Sequence, residues 1–173
     1  MKKVFALLTC MLLFSCDDGD LKLESFVFEN VTVQKCADNN LIFKIKNDEL
    51  LLINTPETSF ANEVTPDGTP REVAIGSTSQ IIYRKYSENL TAATICSTIA
   101  PASPVVTKEW NASGGKILIE TNERFAADGI TLIGYTHNIV FQNVSFTNPE
   151  NSFSFETYIF EDYETNRKKR IKG

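Results

Sequence analysis

The feature that most constrains this chain is an apolar period of two. Leu21 and Leu23, Phe26 and Phe28, Val31 and Val33, then Leu41, Phe43 and Ile45 occupy alternate positions. The spacing returns at Ile130 and Leu132, at Ile139 and Phe141, and at Val144 and Phe146. Successive side chains of an extended strand point to opposite faces, so alternation describes strands with one buried face. The parity breaks between these pairs, and again around Gly134 and Gln142-Asn143, which reads as bulges or short separate strands.

Turn-forming residues divide the pattern. Asp38-Asn39-Asn40 and Asn47-Asp48-Glu49 bracket one strand, and the apolar run from Leu50 to Ile53 follows, so residues 41–53 read as a hairpin. Pro56, Pro66, Gly68 and Pro70 mark residues 54–72 as a long loop crossing between sheets. Strands are expected from Val73 to Ile75 and from Gln80 to Tyr86. Residues 87–104 read as one helical turn near Leu90 to Cys96, or as irregular chain, ended by Pro101 and Pro104. Ala112-Ser113-Gly114-Gly115 predicts a hairpin joining a strand from Val105 to Trp110 with one from Lys116 to Thr121. A β-rich stretch over 129–147, a turn at Asn148-Pro149-Glu150-Asn151 and an aromatic strand from Phe153 to Tyr163 complete the series. With no βαβ alternation, this predicts an all-β, single-domain antiparallel β-sandwich over 21–166, immunoglobulin-like or jelly-roll-like.

The first twenty residues have a different character. Lys2 and Lys3 precede an uncharged stretch from Val4 to Phe14. Eleven helical residues reach only about 16 Å against roughly 30 Å of hydrocarbon, too short to span a bilayer but right for a signal peptide. The stretch ends in Leu13-Phe14-Ser15-Cys16, followed by Asp17-Asp18-Gly19-Asp20. Leu13-Phe14-Ser15-Cys16 resembles the lipobox of bacterial lipoproteins. The resemblance implies cleavage before Cys16, a diacylglycerol on its sulfur, and acylation, of the palmitate kind, on the new amino group. The acidic run resembles the surface-export signals of Bacteroidota lipoproteins. With the β-rich body, the chain is similar to small flavobacterial lipoproteins. That resemblance implies a protein lipid-anchored in the outer membrane and exposed at the cell surface, with a periplasm-facing arrangement as the alternative. It implies no activity. The expected layout is a signal peptide over 1–15, a lipidated tether over 16–20, the domain over 21–166, and a basic tail over 167–173.

Four cysteines are present. Cys10 falls in the leader and Cys16 is assigned to lipid, which leaves Cys36 and Cys96. Two thiols in an oxidising compartment usually pair, so a disulfide is expected, possible as a clamp between sheets. Two cysteines and one histidine lack the spacing of a structural zinc site. The net charge is −5, and losing Lys2 and Lys3 with the leader takes it to −7. Clustered cations are what nucleic-acid binding needs, so that class is excluded.

Candidate sites are few. Trp110 with Tyr83, Tyr86 and Tyr135 could form a flat aromatic platform for sugar rings, although aromatics on strands ordinarily serve core packing. His137, the only histidine, has no Gly-x-Ser-x-Gly elbow to serve, so a structural role is the ordinary outcome. Asp38-Asn39-Asn40 and Asp128 could offer oxygens to calcium, but turn chemistry explains them. The tail Arg167-Lys168-Lys169-Arg170-Ile171-Lys172 could touch anionic lipid headgroups, or simply be a solvated end. These features predict a non-enzymatic binding or accessory module. It would need no cofactor, and its partners would be the membrane through its anchor and an envelope protein or glycan. The rivals are a structural subunit of an outer-membrane assembly and, remotely, a small hydrolase.

Overall fold

A computed structural model describes residues 26–167. Within them nine strands form one antiparallel sheet: β1 (Gln34–Lys35), β2 (Leu41–Lys46), β3 (Glu49–Asn54), β4 (Arg71–Ala74), β5 (Gln80–Tyr86), β6 (Val106–Ala112), β7 (Lys116–Phe125), β8 (Leu132–Thr147) and β9 (Ser152–Asn166). The order across the sheet is β1-β2-β3-β5-β6-β8-β7-β4, with β9 on the free side of β8. The chain is all-β and single-domain, as its alternation predicts. One short α-helix, α1 (Ala92–Cys96), lies in the segment that reads as either one helical turn or irregular chain.

The expected β2–β3 hairpin is present. Its two-residue turn has Asn47 at a φ of 56°, a left-handed conformation that Asn tolerates and tight hairpins demand. The turn is also an anchor: the Asn47 carbonyl accepts from Leu90 N at 2.8 Å and the Asp48 carbonyl from Tyr86 N at 2.9 Å. Beyond the 3₁₀ turn at Glu57–Phe60, the loop after β3 runs without regular structure to Arg71.

The hairpin expected at Ala112-Ser113-Gly114-Gly115 does not form. β6 and β7 both run antiparallel to β8, and Ala112↔Phe146 and Lys116↔Gln142 keep one register across the gap. The glycines therefore bend one long strand instead of reversing it. Gly115 sits at a φ of 81°, and a Cβ there would collide with the carbonyls of Gln142 and Asn143. Asn143, opposite, is itself left-handed at 53°. Glycine allows two backbones to approach at a corner, and sequence composition alone does not separate that use from a turn.

The bend brings the inner faces of the sheet's two halves onto one core. Ile42, Leu51, Ile53, Ile81 and Tyr83 from β2, β3 and β5 share it with Ile117, Ile119, Ile139 and Phe141 from β7 and β8. One end is aromatic: Phe26 contacts Tyr83, Phe146, Phe153, Phe155 and Tyr158, with ring centroids 4.9 to 5.3 Å apart. Phe26 and Phe28 are buried there, yet residues 26–33 form no strand, contrary to the alternation. They act as a plug in which side-chain burial, not ladder pairing, sets the spacing. Leu21 and Leu23 lie outside the described residues.

The outer face of β2-β3-β5 is covered as well. Phe43, Leu50 and Leu52 pack with Leu90, Ile95 and the disulfide. Cys36 and Cys96 are bonded, with Cα atoms 5.3 Å apart and a separation of 60 positions in sequence. The bond does not clamp two sheets; it pins α1 over one outer face. On the chain-entropy model a loop of this length contributes about 4 kcal/mol.

Candidate functional site

The aromatic platform is not assembled. Trp110 and Tyr83 lie side by side in the core, centroids 5.0 Å apart, 6% and 1% exposed. The Trp110 indole N–H donates to Asn151 Oδ1 at 2.6 Å, so its one polar atom is satisfied inside the fold. Tyr86 packs against the second apolar cluster, beneath α1. Tyr135 sits half-buried on β8, opposite Thr165. Core packing claims the first two because their parity on β5 and β6 points inward. Cys16 lies outside the described residues, as does the tail beyond Arg167. Asp128 and Asn39 serve turns: Asp128 accepts from Ile130 N and Thr131 N, and Asn39 from Leu41 N. Asp128 is held down at about 2 by these bonds, Thr131 foremost.

The polar interest of the fold lies at the seam where β1 and β2 approach β9. Lys44 is fully buried there. Its ammonium donates to the Phe28 carbonyl at 3.0 Å, pairs with Glu161 at 2.8 Å, and lies 5.4 Å from the Phe160 ring centre. Glu161 in turn accepts from Asn30 N at 3.1 Å. One buried cation thus ties the N-terminal plug to β9. Alternation had set Lys44 outward. β2 is apolar on both faces, Ile42 on one and Phe43 on the other, so neither is a solvent face.

Further along the seam is a buried hydrogen-bond relay. Thr121 and His137 are directly opposed in the β7–β8 register, and both are fully buried. Thr165 donates its hydroxyl proton to Asn62 Oδ1 at 2.6 Å. It therefore accepts from His137 Nε2–H at 3.2 Å. His137 Nδ1 is then the acceptor for the Thr121 hydroxyl at 2.9 Å. Arg71 Nη1 donates to Thr121 Oγ1 at 3.5 Å and to the Ser59 carbonyl at 3.1 Å. Every bond runs one way, from Arg71 through a neutral imidazole to Asn62. Burial, with the Arg71 charge second, pulls the His137 pKa down to about 4. Phe60 and Tyr163 pack on the ring.

The relay ends in the wall of a cleft of about 450 Å³. Lys35, Asn40 and Ile42 line it from β1, β2 and the turn between them. Thr55, Glu57 and Asn62 line it from the loop, and Tyr163, Thr165 and Asn166 from β9. The oxygens of Asn62 and Asn166 are engaged, by Thr165 and by Arg124 Nη2 at 3.2 Å, so each side chain has its NH₂ to offer. Thr55 is 2% exposed, and its hydroxyl has no hydrogen-bond partner among the described residues. Lys35 lies 5.9 Å over the Tyr163 ring. A wall of amides, hydroxyls and an aromatic ring suits a ligand with both ring faces and many oxygens.

Sequence reasoning singled out His137 but missed Lys44, Thr55, Asn62, Arg71, Thr121 and Thr165. For two residues a signal existed. Thr121 continues the inward parity of Ile117 and Ile119, and His137 that of Ile139 and Phe141. A polar residue on a core parity is a buried polar residue in need of a partner. Comparison with protein-family models, with curated proteins and with solved structures finds no match to this chain.

Proposed function

We propose that this protein is an exported lipoprotein, anchored through Cys16 in the outer membrane and exposed at the cell surface. In this reading its β domain is a non-enzymatic module that binds a saccharide in the seam cleft. The observation that carries the binding reading is the cleft between β9 and the loop after β3, whose wall sets the amides of Asn62 and Asn166 beside the Tyr163 ring. Amide N–H groups beside an aromatic ring suit the hydroxyls and the apolar face of a sugar. The relay supports the same reading. It holds the Asn62 oxygen on Thr165 and leaves the amide N–H groups to a ligand. Export is supported by the leader, by the lipobox, and by the Cys36–Cys96 bond, which belongs to an oxidising compartment.

Two measurements test the two halves. Mass spectrometry of the isolated protein should find Cys16 as the first residue and carrying acyl chains; an intact Met1 without added lipid overturns the anchor. Titration with a panel of neutral and acidic saccharides, followed by NMR, should move the resonances of Asn62, Tyr163 and Thr55. Asn62→Asp should weaken the binding at least tenfold, with the sugar recovered unchanged. A panel that leaves those resonances still, or that binds Asn62→Asp equally well, overturns the cleft.

A further inference from the structure

We propose that the cavity under α1 is a second binding site, for one acyl chain that ends in an anionic group, with the chain along β3 and the anion at Arg84. β3 is apolar on both faces. Leu51 and Ile53 point into the main core, and Leu50 and Leu52, equally buried, point the other way. Such a strand needs a covering layer on each side. On the outer side that layer is thin: the five residues of α1, then a stretch without regular structure up to β6. It is tied at its two ends, by the Cys36–Cys96 bond and by Ser87 N, which donates to the Val105 carbonyl at 2.9 Å. Between the ties and the sheet lies a cavity of about 480 Å³, within the range of small-molecule sites. Leu50 and Leu52 line it from the sheet, and Ile95, Pro101 and Pro104 from the cover. Ile99, Val105 and Val106 are exposed beside it, so its surroundings are apolar as well.

One charge meets this apolar space. The register sets Arg84 directly opposite Leu50. Among the described residues Arg84 is the one charged side chain that lines the cavity, and no carboxylate does. Its Nε donates to Glu109 Oε2 at 2.6 Å, and the Tyr86 hydroxyl accepts from the same guanidinium. Glu109 stands on β6, outside the lining. A guanidinium has five N–H groups, so donors remain for a further acceptor. A cavity with a cation and no acid runs against a chain whose net charge is −5. Charge complementarity therefore selects an anion at one end of an apolar ligand, and a carboxylate or a phosphate on a single acyl chain supplies both. The cavity shares no lining residue with the seam cleft.

The experiment titrates dodecanoate, dodecyl phosphate and dodecanol, each below its aggregation limit, into the isolated protein by calorimetry and NMR. The anions should bind one to one and move the resonances of Leu50, Ile95 and Val105, and the tighter of the two identifies the head group. Dodecanol should bind at least about tenfold more weakly, because it lacks the charge-assisted bonds to Arg84. Shortening the chain by two carbons should weaken binding roughly fifteenfold, the value for two buried methylenes. Arg84→Gln should weaken the anions about tenfold and leave dodecanol unchanged, and Arg84→Lys should recover most of the loss. The alcohol, read on the same variant, separates a lost charge contact from a damaged fold. Anions that do not bind, an alcohol that binds as tightly as the acid, or Arg84→Gln without effect overturns the proposal. So does a dimer, seen by sedimentation and indifferent to dodecanoate, that covers Ile99 and Val105; it would assign this face to a second copy. Saccharide binding in the seam is read at Asn62 and Tyr163, so each site is scored by its own resonances.

Discussion

Acidification should unfold this protein partly through one residue. His137 is fully buried, and its pKa falls to about 4 in the folded state against an ordinary value of 6.5. Between these values the unfolded chain binds a proton that the folded chain refuses. Stability is therefore complete above pH 6.5 and declines as the pH falls toward 4. With these two pKa values the linkage integral gives a loss of about 2 kcal/mol at pH 5 and about 3 kcal/mol below pH 4. A fold of this size has roughly 5 to 15 kcal/mol in all, so the loss is measurable. Urea unfolding at pH 7.5 and pH 5 would yield it, provided that His137→Gln is run in parallel to remove the contribution of the carboxylates. The variant should start less stable at pH 7.5, because Thr121 and Thr165 lose a matched partner. It should then lose about 2 kcal/mol less than the parent between the two pH values. NMR offers a direct check, since the chain has one histidine and its ring signals need no assignment. Equal losses in parent and variant, or a native ring that titrates above pH 6, would refute the relay of neutral imidazole described above.

Three further outcomes follow from the geometry. Glu161→Gln leaves the buried Lys44 ammonium without its counter-charge and should cost about 3 kcal/mol by urea unfolding, whereas Lys44→Met, which removes the buried charge and leaves only the part-exposed Glu161, should cost less. Gly115→Ala drives a Cβ into the carbonyls of β8 at a left-handed φ and should cost more than about 2 kcal/mol, while Gly114→Ala, which meets no atom, should cost less in the same assay. Replacing Cys36 and Cys96 with serine should lower stability by about 4 kcal/mol and make residues 87–104 the first site of limited proteolysis, since α1 would lose its one covalent tie to the face it covers.

The strands were legible because their faces differ. β3 lies where its apolar run sets it, β5, β8 and β9 lie close to their expected segments, and the Cys36–Cys96 bond is the pair that elimination leaves. The bend at Ser113-Gly114-Gly115 was not legible. Gly-Gly serves a reversal and a close approach equally well, and only the unbroken register with β8 distinguishes them. Trp110 and Tyr83 misled for a related reason: an aromatic residue on a strand carries no mark of which face meets solvent. The cleft was the least legible part. Its walls come from residues 35–42, 55–62 and 163–166, and no local pattern joins them.

The position of the cleft follows from the way the sheet fails to close. β1 and β9 are edge strands, and among the described residues each has a side that no neighbouring strand pairs. Where they approach, backbone polar groups need partners that a hydrocarbon core cannot give. Side chains supply them: Lys44 on the Phe28 carbonyl, Glu161 on Asn30 N, Arg71 on the Ser59 carbonyl. Away from the relay, Phe26 and its ring neighbours fill the core, with polar bonds only at its margin, from Trp110 to Asn151 and from Lys46 to the Val27 carbonyl. The open seam therefore gathers the buried polar groups, and a gap lined by hydrogen-bonding side chains is a ready binding cleft. Strengthening the seam with apolar residues should stabilise the fold and empty the cleft of the groups that would hold a ligand, which sets stability against binding at the same few residues.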